Sequence, residues 1–214
     1  MRQRPNQPTP PGRSSPPSRV RLGVAWLSVS WLAVAGMATG VAWMARPAHA
    51  ITQLLDHTPS LQDAVDANDV ATTRQFLSRG VNADRADDTG RTPLSTAASN
   101  GNVDIIKLLL DNGAHPSQKD GTSKTPLHWA AFNNQDAAAA MLLDRGAMVD
   151  AQDKQGATPL MLAAGKGNIE AIKVLLAHHP DLGKHDYTGR SALDWAIQEK
   201  QAGAGRLLRG AGGS

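Results

Sequence analysis

Cysteine is absent from this 214-residue sequence, so disulfide bonds and thiolate chemistry are excluded. Aromatic residues are scarce, with two Phe, one Tyr and five Trp. Ser, His and acidic residues are scattered, and they form no nucleophile motif, no phosphate-binding loop and no convergent set of metal ligands. The sequence therefore predicts a protein that is not an enzyme, needs no cofactor and binds no metal ion.

Acidic residues are absent from residues 1–50, which hold six Arg and no Lys. From residue 51 onward the chain holds the remaining 16 of its 22 bases and all 19 of its acids, a net charge of −3. The formal charge of +3 and the pI near 9.4 therefore reflect the leader alone. This distribution gives no support to a nucleic-acid partner.

The first fifty residues have the pattern of a secretory signal peptide. Residues 1–21 are rich in Pro, Arg and Ser, residues 22–44 are uncharged and apolar or small, and residues 48–50 read Ala-His-Ala. A basic start, an apolar core and a small-x-small end predict cleavage after Ala50. The leader arginines should stay in the cytoplasm, so the rest of the chain should cross the membrane, into the periplasm of a bacterium.

An uncleaved membrane anchor is the alternative for this leader. The 23 residues of the apolar segment would span about 34 Å as a helix, enough for the hydrocarbon core of a bilayer. That length exceeds the usual core of a signal peptide. Under either reading, membrane contact is confined to the leader.

A Thr-Pro-Leu triplet recurs every 33 residues after the leader. It stands at 92–94, 125–127 and 158–160, with degraded forms at 59–61 and 191–193. A fixed period of this length indicates a stacked-repeat architecture. Aspartates follow the same period, at Asp87, Asp120, Asp153 and Asp186.

Each repeat predicts two short helices. Thr92 suits an N-cap, Pro93 suits the first helical position, and Gly101 suits the left-handed conformation that ends a helix. A second helix is predicted over about 103–111. Helices this short bury too little surface alone, so stability must come from stacking neighbouring repeats. The residues predicted to face inward are Ile105, Ile106, Leu108, Leu109 and Leu110.

The motif Gly-x-Thr-Pro-Leu-x-x-Ala-Ala-x-x-Gly-Asn, followed by Leu-Leu-x-x-Gly-Ala, resembles the ankyrin repeat. This resemblance implies an all-α solenoid of about five helix-turn-helix units with outward β-hairpin loops. It also implies a concave surface of loop tips and inner helices that binds another protein, and we expect a monomer. The units are 56–88, 89–121, 122–154, 155–187 and 188–214.

The departures from this pattern identify the terminal capping units and a third unit with little side-chain volume. Asn68 and Lys200 replace the helix-ending Gly in the first and last units, and Arg209 replaces a stacking Leu, which is typical of terminal units. Asn134 replaces the same Gly in the third unit, where Asn tolerates the left-handed conformation. The run Ala137–Ala140 lowers the side-chain volume in that unit.

Several conspicuous side chains have structural explanations. The resemblance implies that His128 bonds to the backbone of a neighbouring unit. Trp129 and Trp195 share a column with a framework role in the family, which predicts buried packing, with a groove-lining role as the alternative. His178 and His179 are adjacent and should point apart, so they predict no metal site.

Positions that do not serve the repeat fold provide a candidate partner-binding site. Phe132 and Tyr187 stand out because aromatic residues are scarce, and exposed aromatics near Arg or Lys are typical interface anchors. The alternative for Phe132 is that it packs into the Ala-rich third unit. The predicted partner-binding residues are Arg91, Lys124, Phe132, Asn133, Lys154, Tyr187 and Arg190.

Two functions fit these observations. The first is a non-catalytic interaction module, exported to the periplasm, that holds one envelope or secreted protein in its groove. The resemblance to exported ankyrin proteins suggests an oxidative-stress enzyme such as a catalase, or a toxin that the protein neutralises. The second is a structural or stability factor anchored in the inner membrane by an uncleaved leader.

Overall fold

The computed structural model describes residues 59–212. The predicted signal peptide, residues 1–50, and the first residues of the predicted first unit, 56–58, lie outside the described part of the chain. Within residues 59–212, no helix combines the length and the apolar character needed to cross a bilayer.

Ten short α-helices occupy residues 59–212 as five consecutive pairs, and no strand occurs in that range. One pair falls in each predicted unit. The first helices of the pairs are α1 (Leu61–Asp66), α3 (Pro93–Asn100), α5 (Pro126–Phe132), α7 (Pro159–Lys166) and α9 (Ala192–Gln198). The second helices are α2 (Val70–Ser78), α4 (Val103–Asp111), α6 (Asp136–Asp144), α8 (Ile169–Ala177) and α10 (Ala202–Gly210).

The first helices begin as the sequence predicts. The Thr92 hydroxyl accepts the N–H of Ser95 at 3.1 Å, and Pro93 occupies the first turn of α3. Gly101 ends α3 with a φ of 73°. At the equivalent position Asn134 and Lys200 have φ values of 55° and 57°, so the turn survives without Gly but in a conformation that side chains disfavour.

Stacking brings like helices together. The first helices pack in one row, α1 to α3 to α5 to α7 to α9, and the second helices form a parallel row from α2 to α10. Leu109, Leu142 and Leu175, one repeat apart, are 0% exposed in the second row. Leu108 and Leu110 were predicted to face inward but are only half-buried, because they flank the stripe of α4 that faces its neighbours.

Polar side chains also tie each unit to the one before it. The Asn168 amide donates 2.8 Å hydrogen bonds to the carbonyls of Ala131 and Phe132, which satisfies backbone acceptors at the end of α5. Gln135 lies over Gly101 so closely that a Cβ there would stand 2.2 Å from Gln135 Oε1. Gly101 therefore serves both the turn and the space for the next unit.

The periodic aspartates organise the loops between units. Oδ1 of Asp120 accepts the N–H groups of Thr122 at 2.8 Å and Lys124 at 3.0 Å, and the Asp120 N–H donates to the Lys124 carbonyl at 2.9 Å. The other three loops repeat this arrangement around Asp87, Asp153 and Asp186. The predicted outward hairpins are therefore tight turns, without strand residues in the described chain.

Candidate partner-binding site

The four loops and the C-terminal ends of the first helices form one surface, which we call the hairpin face. Adjacent loops are joined by backbone hydrogen bonds, from Gly121 N–H to the Gly90 carbonyl at 2.9 Å and from Tyr187 N–H to the Gln155 carbonyl at 3.0 Å. The hairpin face comprises residues 85–91, 118–124, 151–157 and 184–190, Trp129 and Trp195, and the helix-end residues Ser99, Phe132, Asn133, Gly165, Lys166 and Gln198.

Two tryptophans are fixed on this face by the loop aspartates. The indole N–H of Trp129 donates to Asp120 Oδ2 at 2.7 Å, and that of Trp195 donates to Asp186 Oδ2 at 2.9 Å. Both side chains are half-buried, and the Trp195 ring packs against the core, so their burial is less complete than the predicted packing. The reason is the polar indole edge, which stays with a loop carboxylate while the ring packs on the helices.

The central cluster consists of Arg91, Trp129, Phe132 and Lys166. The Arg91 guanidinium lies 5.0 Å from the centroid of the Trp129 ring. Trp129 and Phe132 meet edge to face, with centroids 6.4 Å apart and an interplanar angle of 77°. The Lys166 ammonium stands 4.6 Å from the Phe132 ring centroid. Two adjacent aromatic rings are thus flanked by a cation on each side, across three units.

Phe132 combines the two roles that the sequence predicts, an anchor at the surface and packing into the third unit. It is half-buried and packs against the apolar core, yet one face of its ring meets the Lys166 ammonium. Its neighbour Asn133 is exposed and donates to the Ser99 hydroxyl at 2.7 Å, bridging two units. Together they place an apolar ring and a polar amide at the end of α5.

Arg190 belongs to a second cluster, at the last unit. Its guanidinium donates to Asp186 Oδ2 through Nε at 2.9 Å and lies 4.6 Å from the Trp195 ring centroid. A second nitrogen donates to the Gln198 side chain at 2.8 Å. Arg190 is therefore held in place by three side chains, those of Asp186, Trp195 and Gln198.

The two predicted lysines have different surroundings. Lys124 forms a 3.1 Å ion pair with Asp153 Oδ2, and its side chain is only 20% exposed. Lys154 is exposed and its ammonium donates to the Gly121 carbonyl at 2.8 Å. The charge of Lys124 is thus neutralised by Asp153 of the next loop, whereas Lys154 keeps an unneutralised charge at the surface.

Tyr187 is the most exposed of the predicted aromatics. It is 74% exposed, and its ring lies against Gly156, where a Cβ would stand 2.6 Å from Tyr187 Cδ1. The ring thus has one side on the neighbouring loop and the rest in solvent. The structure brings Arg91 and Phe132 together through Trp129, whereas Arg190 belongs to the last unit.

The electrostatics of the loops follow from their hydrogen bonds. Burial works to raise the pKa of Asp120, but hydrogen bonds from Thr122, Trp129 and the Lys124 N–H outweigh it, so the pKa is lowered. The same balance lowers the pKa of Asp186. These carboxylates stay ionised and are engaged within the fold.

His128 lies beneath this face and serves the fold. Its Nδ1 accepts the Thr125 N–H at 3.1 Å, and its Nε2 donates to the Ala157 carbonyl of the next unit at 3.0 Å. Burial is the main cause that lowers the pKa of His128 to about 4. The ring is therefore neutral near pH 7 and joins two units, as the sequence predicts.

Metal ligation has no candidate in the part of the chain that the structure describes. No group of three or more His, Asp or Glu side chains there is arranged to hold a metal ion. His178 is half-buried at the end of α8, and His179 is exposed with a φ of 52°.

Sequence reasoning missed two members of the site. Trp129 was expected to pack in the framework, with a groove-lining role only as the alternative, and Lys166 was not among the predicted binding residues. A signal for Trp129 was present, because Trp129 follows Asp120 and Trp195 follows Asp186 by the same nine residues. The Lys166 pairing gave no such signal, since it depends on how α7 sits beside α5.

Comparison with protein families finds ankyrin repeats, in three copies, over residues 61–153 and 146–212. No curated protein matches the chain. The family match spans most of the sequence and coincides with the five helix pairs. Ankyrin repeats are protein–protein interaction modules and typically non-catalytic. On its repeats and its helix pairs, the chain belongs to the ankyrin repeat family.

Proposed function

We propose that this protein is a non-catalytic interaction module, exported to the periplasm, that binds one envelope or secreted protein at its hairpin face. The observation that carries the proposal is the central cluster, where two half-buried aromatic rings in contact are flanked by a cation on each side. Partly exposed Trp and Phe beside Arg and Lys are the composition of binding hot spots.

The chemistry of the loops supports a binding role over catalysis. Asp120, Asp153 and Asp186 accept backbone N–H groups and are held in the fold, so they are poorly placed for proton transfer. His128 is buried between two units. Within residues 59–212 these groups stabilise the hairpin face, and the exposed side chains of that face would contact a partner.

Export is supported by the pattern of the first fifty residues. A basic start, an apolar core and the Ala-His-Ala end favour cleavage after Ala50. An oxidative-stress enzyme such as a catalase, or a toxin that is neutralised by binding, are the partners we would test first. The alternative function is an inner-membrane-anchored stability factor, favoured by the 23-residue length of the apolar segment.

Partner capture tests the binding surface. Replacing both Phe132 and Tyr187 by Ala should abolish cross-linked capture of the partner from a periplasmic extract, while the helical circular dichroism is retained. The melting temperature should fall, because Phe132 packs against the core, so capture is compared well below it. Met148→Ala with Ile197→Ala is the matched control, because both side chains are exposed and apolar but lie outside the hairpin face. Equal capture by both double variants would contradict the assignment.

The intact mass of the exported protein tests the leader. A mass that begins at Ile51 supports cleavage and a free periplasmic module. A mass that includes residues 1–50, recovered from the membrane fraction, supports the anchored alternative. This experiment does not bear on the binding surface, because either form of the protein could capture the partner.

A further inference from the structure

Three of the four loops of the hairpin face bury their aspartates. Asp120, Asp153 and Asp186 are 8%, 4% and 4% exposed. Their Oδ1 atoms accept backbone N–H groups, and their Oδ2 atoms are engaged by Trp129, Lys124 and Arg190, respectively.

The exposed acids near this face lie toward its ends. Asp88 belongs to the first loop, and Glu199 follows α9 in the last unit. Between them, the loops 118–124 and 151–157 contribute buried aspartates and exposed lysines.

Three exposed lysines carry charges that no carboxylate recorded in residues 59–212 neutralises. Lys119 donates to the Gln152 carbonyl and Lys154 to the Gly121 carbonyl, each at 2.8 Å, and a carbonyl leaves the charge in place. Lys166 lies over the Phe132 ring. An ammonium has three donors, so a single carbonyl leaves two of them for other acceptors.

The three middle helices of the second row, α4, α6 and α8, have the opposite balance. Its exposed bases on α4, α6 and α8 are Lys107, Lys173 and, at the end of α6, Arg145. Arg145 pairs with Asp111 at 2.9 Å and Lys173 pairs with Glu170 at 2.8 Å. The exposed acids of the same three helices are more numerous: Asp104, Asp111, Asp136, Asp144 and Glu170.

The positive charge of the hairpin face thus contrasts with the middle of the second-helix row. From residue 51 onward the chain carries a net charge of −3, so its overall charge would repel an acidic ligand. Attraction must come from cations of the face itself, of which Lys119, Lys154 and Lys166 lie beside the central cluster and its two middle loops. The rings of the central cluster supply apolar surface on the same face.

We propose that the hairpin face captures its partner through an acidic, extended segment in which Asp or Glu residues alternate with apolar side chains. Carboxylates of the segment meet the three lysines, and an apolar side chain rests on Trp129 and Phe132. This inference rests on the proposed function and specifies the chemistry of the partner. Complementary charge would both steer the encounter and set the register.

Binding of labelled poly-L-glutamate, about twenty residues long, tests the charge component on the full chain. The variant Lys119→Gln/Lys154→Gln/Lys166→Gln should bind the probe at least about tenfold more weakly at low salt, because three close charge pairs are lost. The control Lys107→Gln/Arg145→Gln/Lys173→Gln removes the same number of charges from the second-helix row. It should bind within about twofold of the unaltered protein.

The design separates local charge from general effects. All three proteins carry the six leader arginines, so that contribution is common to them. If the triple Lys variant unfolds, Lys166→Gln alone remains informative, because the recorded contact of Lys166 is with the Phe132 ring rather than a backbone carbonyl. It should weaken binding about two- to threefold.

Three results would overturn the inference: no salt-sensitive binding of poly-L-glutamate, equal weakening in both triple variants, or equal binding of oligothymidylate, which would indicate a nucleic-acid ligand.

The proposed function is refuted by different results. A cross-linked partner segment without an excess of Asp and Glu refutes the acidic segment alone. Capture that ignores Phe132 and Tyr187 refutes the binding surface, whatever the glutamate probe shows.

Discussion

Trp129 and Asp120 are joined by a 2.7 Å hydrogen bond from the indole N–H to Oδ2, while Oδ1 of the same carboxylate accepts two backbone N–H groups of its loop. One aspartate therefore holds both the loop and the aromatic ring of the central cluster. The last unit repeats this arrangement with Asp186 and Trp195, except that Arg190 also donates to Oδ2. This difference predicts unequal consequences of the same substitution.

Trp129→Phe should cost about 1–2 kcal/mol of unfolding free energy, because the buried Asp120 Oδ2 loses the indole donor. Trp195→Phe removes the same group but should cost less, since Arg190 still donates to Asp186 Oδ2. Urea unfolding of both variants measures the difference. Equal losses would show that ring volume, rather than the hydrogen bond, determines the cost.

Ser123→Gly should stabilise the protein by about 0.5–1 kcal/mol. Ser123 has a φ of 63°, whereas its equivalents in the other loops are Gly90, Gly156 and Gly189. A side chain is strained in this left-handed region, and the relief exceeds the added freedom of Gly in the unfolded chain.

The reciprocal change, Gly189→Ser, is the control for this loop position. A Cβ at Gly189 would meet no atom within 4 Å, so the substitution introduces backbone strain without a collision. It should cost about 1 kcal/mol. A gain from Gly189→Ser, or a loss from Ser123→Gly, in chemical unfolding would contradict the strain argument.

His128 should make the stability depend on pH between about 6.5 and 4. Burial lowers its pKa to about 4 in the folded protein, so the unfolded chain binds a proton first as the pH falls. The unaltered protein should therefore lose up to about 3 kcal/mol relative to His128→Gln on going from pH 7 to pH 4. A constant difference between the two proteins across this range would refute a neutral, buried imidazole.

Leu109→Ala and Leu142→Ala should each cost about 2–5 kcal/mol, because both side chains are fully buried between second helices and truncation leaves a cavity. Leu110→Ala, at a half-buried position of α4, should cost less and is the matched control. Denaturant midpoints and m-values separate a lower stability from a change in cooperativity. Costs near zero would mean that these leucines do not face the neighbouring unit.

Local signals in the sequence account for most of the fold. Thr92, Pro93 and Gly101 mark the start and end of α3, and the 33-residue period carries the same signals to the other units. These signals act within a few residues of one another, so they can be interpreted without knowing the neighbours. Leu108 and Leu110 pack against the core but are only half-buried, because an apolar run does not state which of its residues lie at the centre of the stack.

The candidate site was predicted less completely, because several of its contacts join residues far apart in the chain. Lys124 was predicted to meet a partner, but it pairs with Asp153, 29 residues away, and Arg91 lies on Trp129 of the next unit. Neither pairing follows from spacing along the chain, since both depend on the distance and rotation between stacked helices.

The sequence alone determines the repeat period, the helix ends, the buried leucines and the scarcity of aromatic anchors, because each depends on local conformation and apolar patterning. The tertiary structure decides which loop carboxylates are hydrogen-bonded or ion-paired, which tryptophan edges stay at the surface and which lysines keep an unpaired charge. The lysine charges depend on pairs about one repeat apart, such as Lys124 and Asp153, which only stacking brings together. The tryptophan edges depend on how each loop folds back onto the helix that follows it, since Asp120 and Trp129 are nine residues apart.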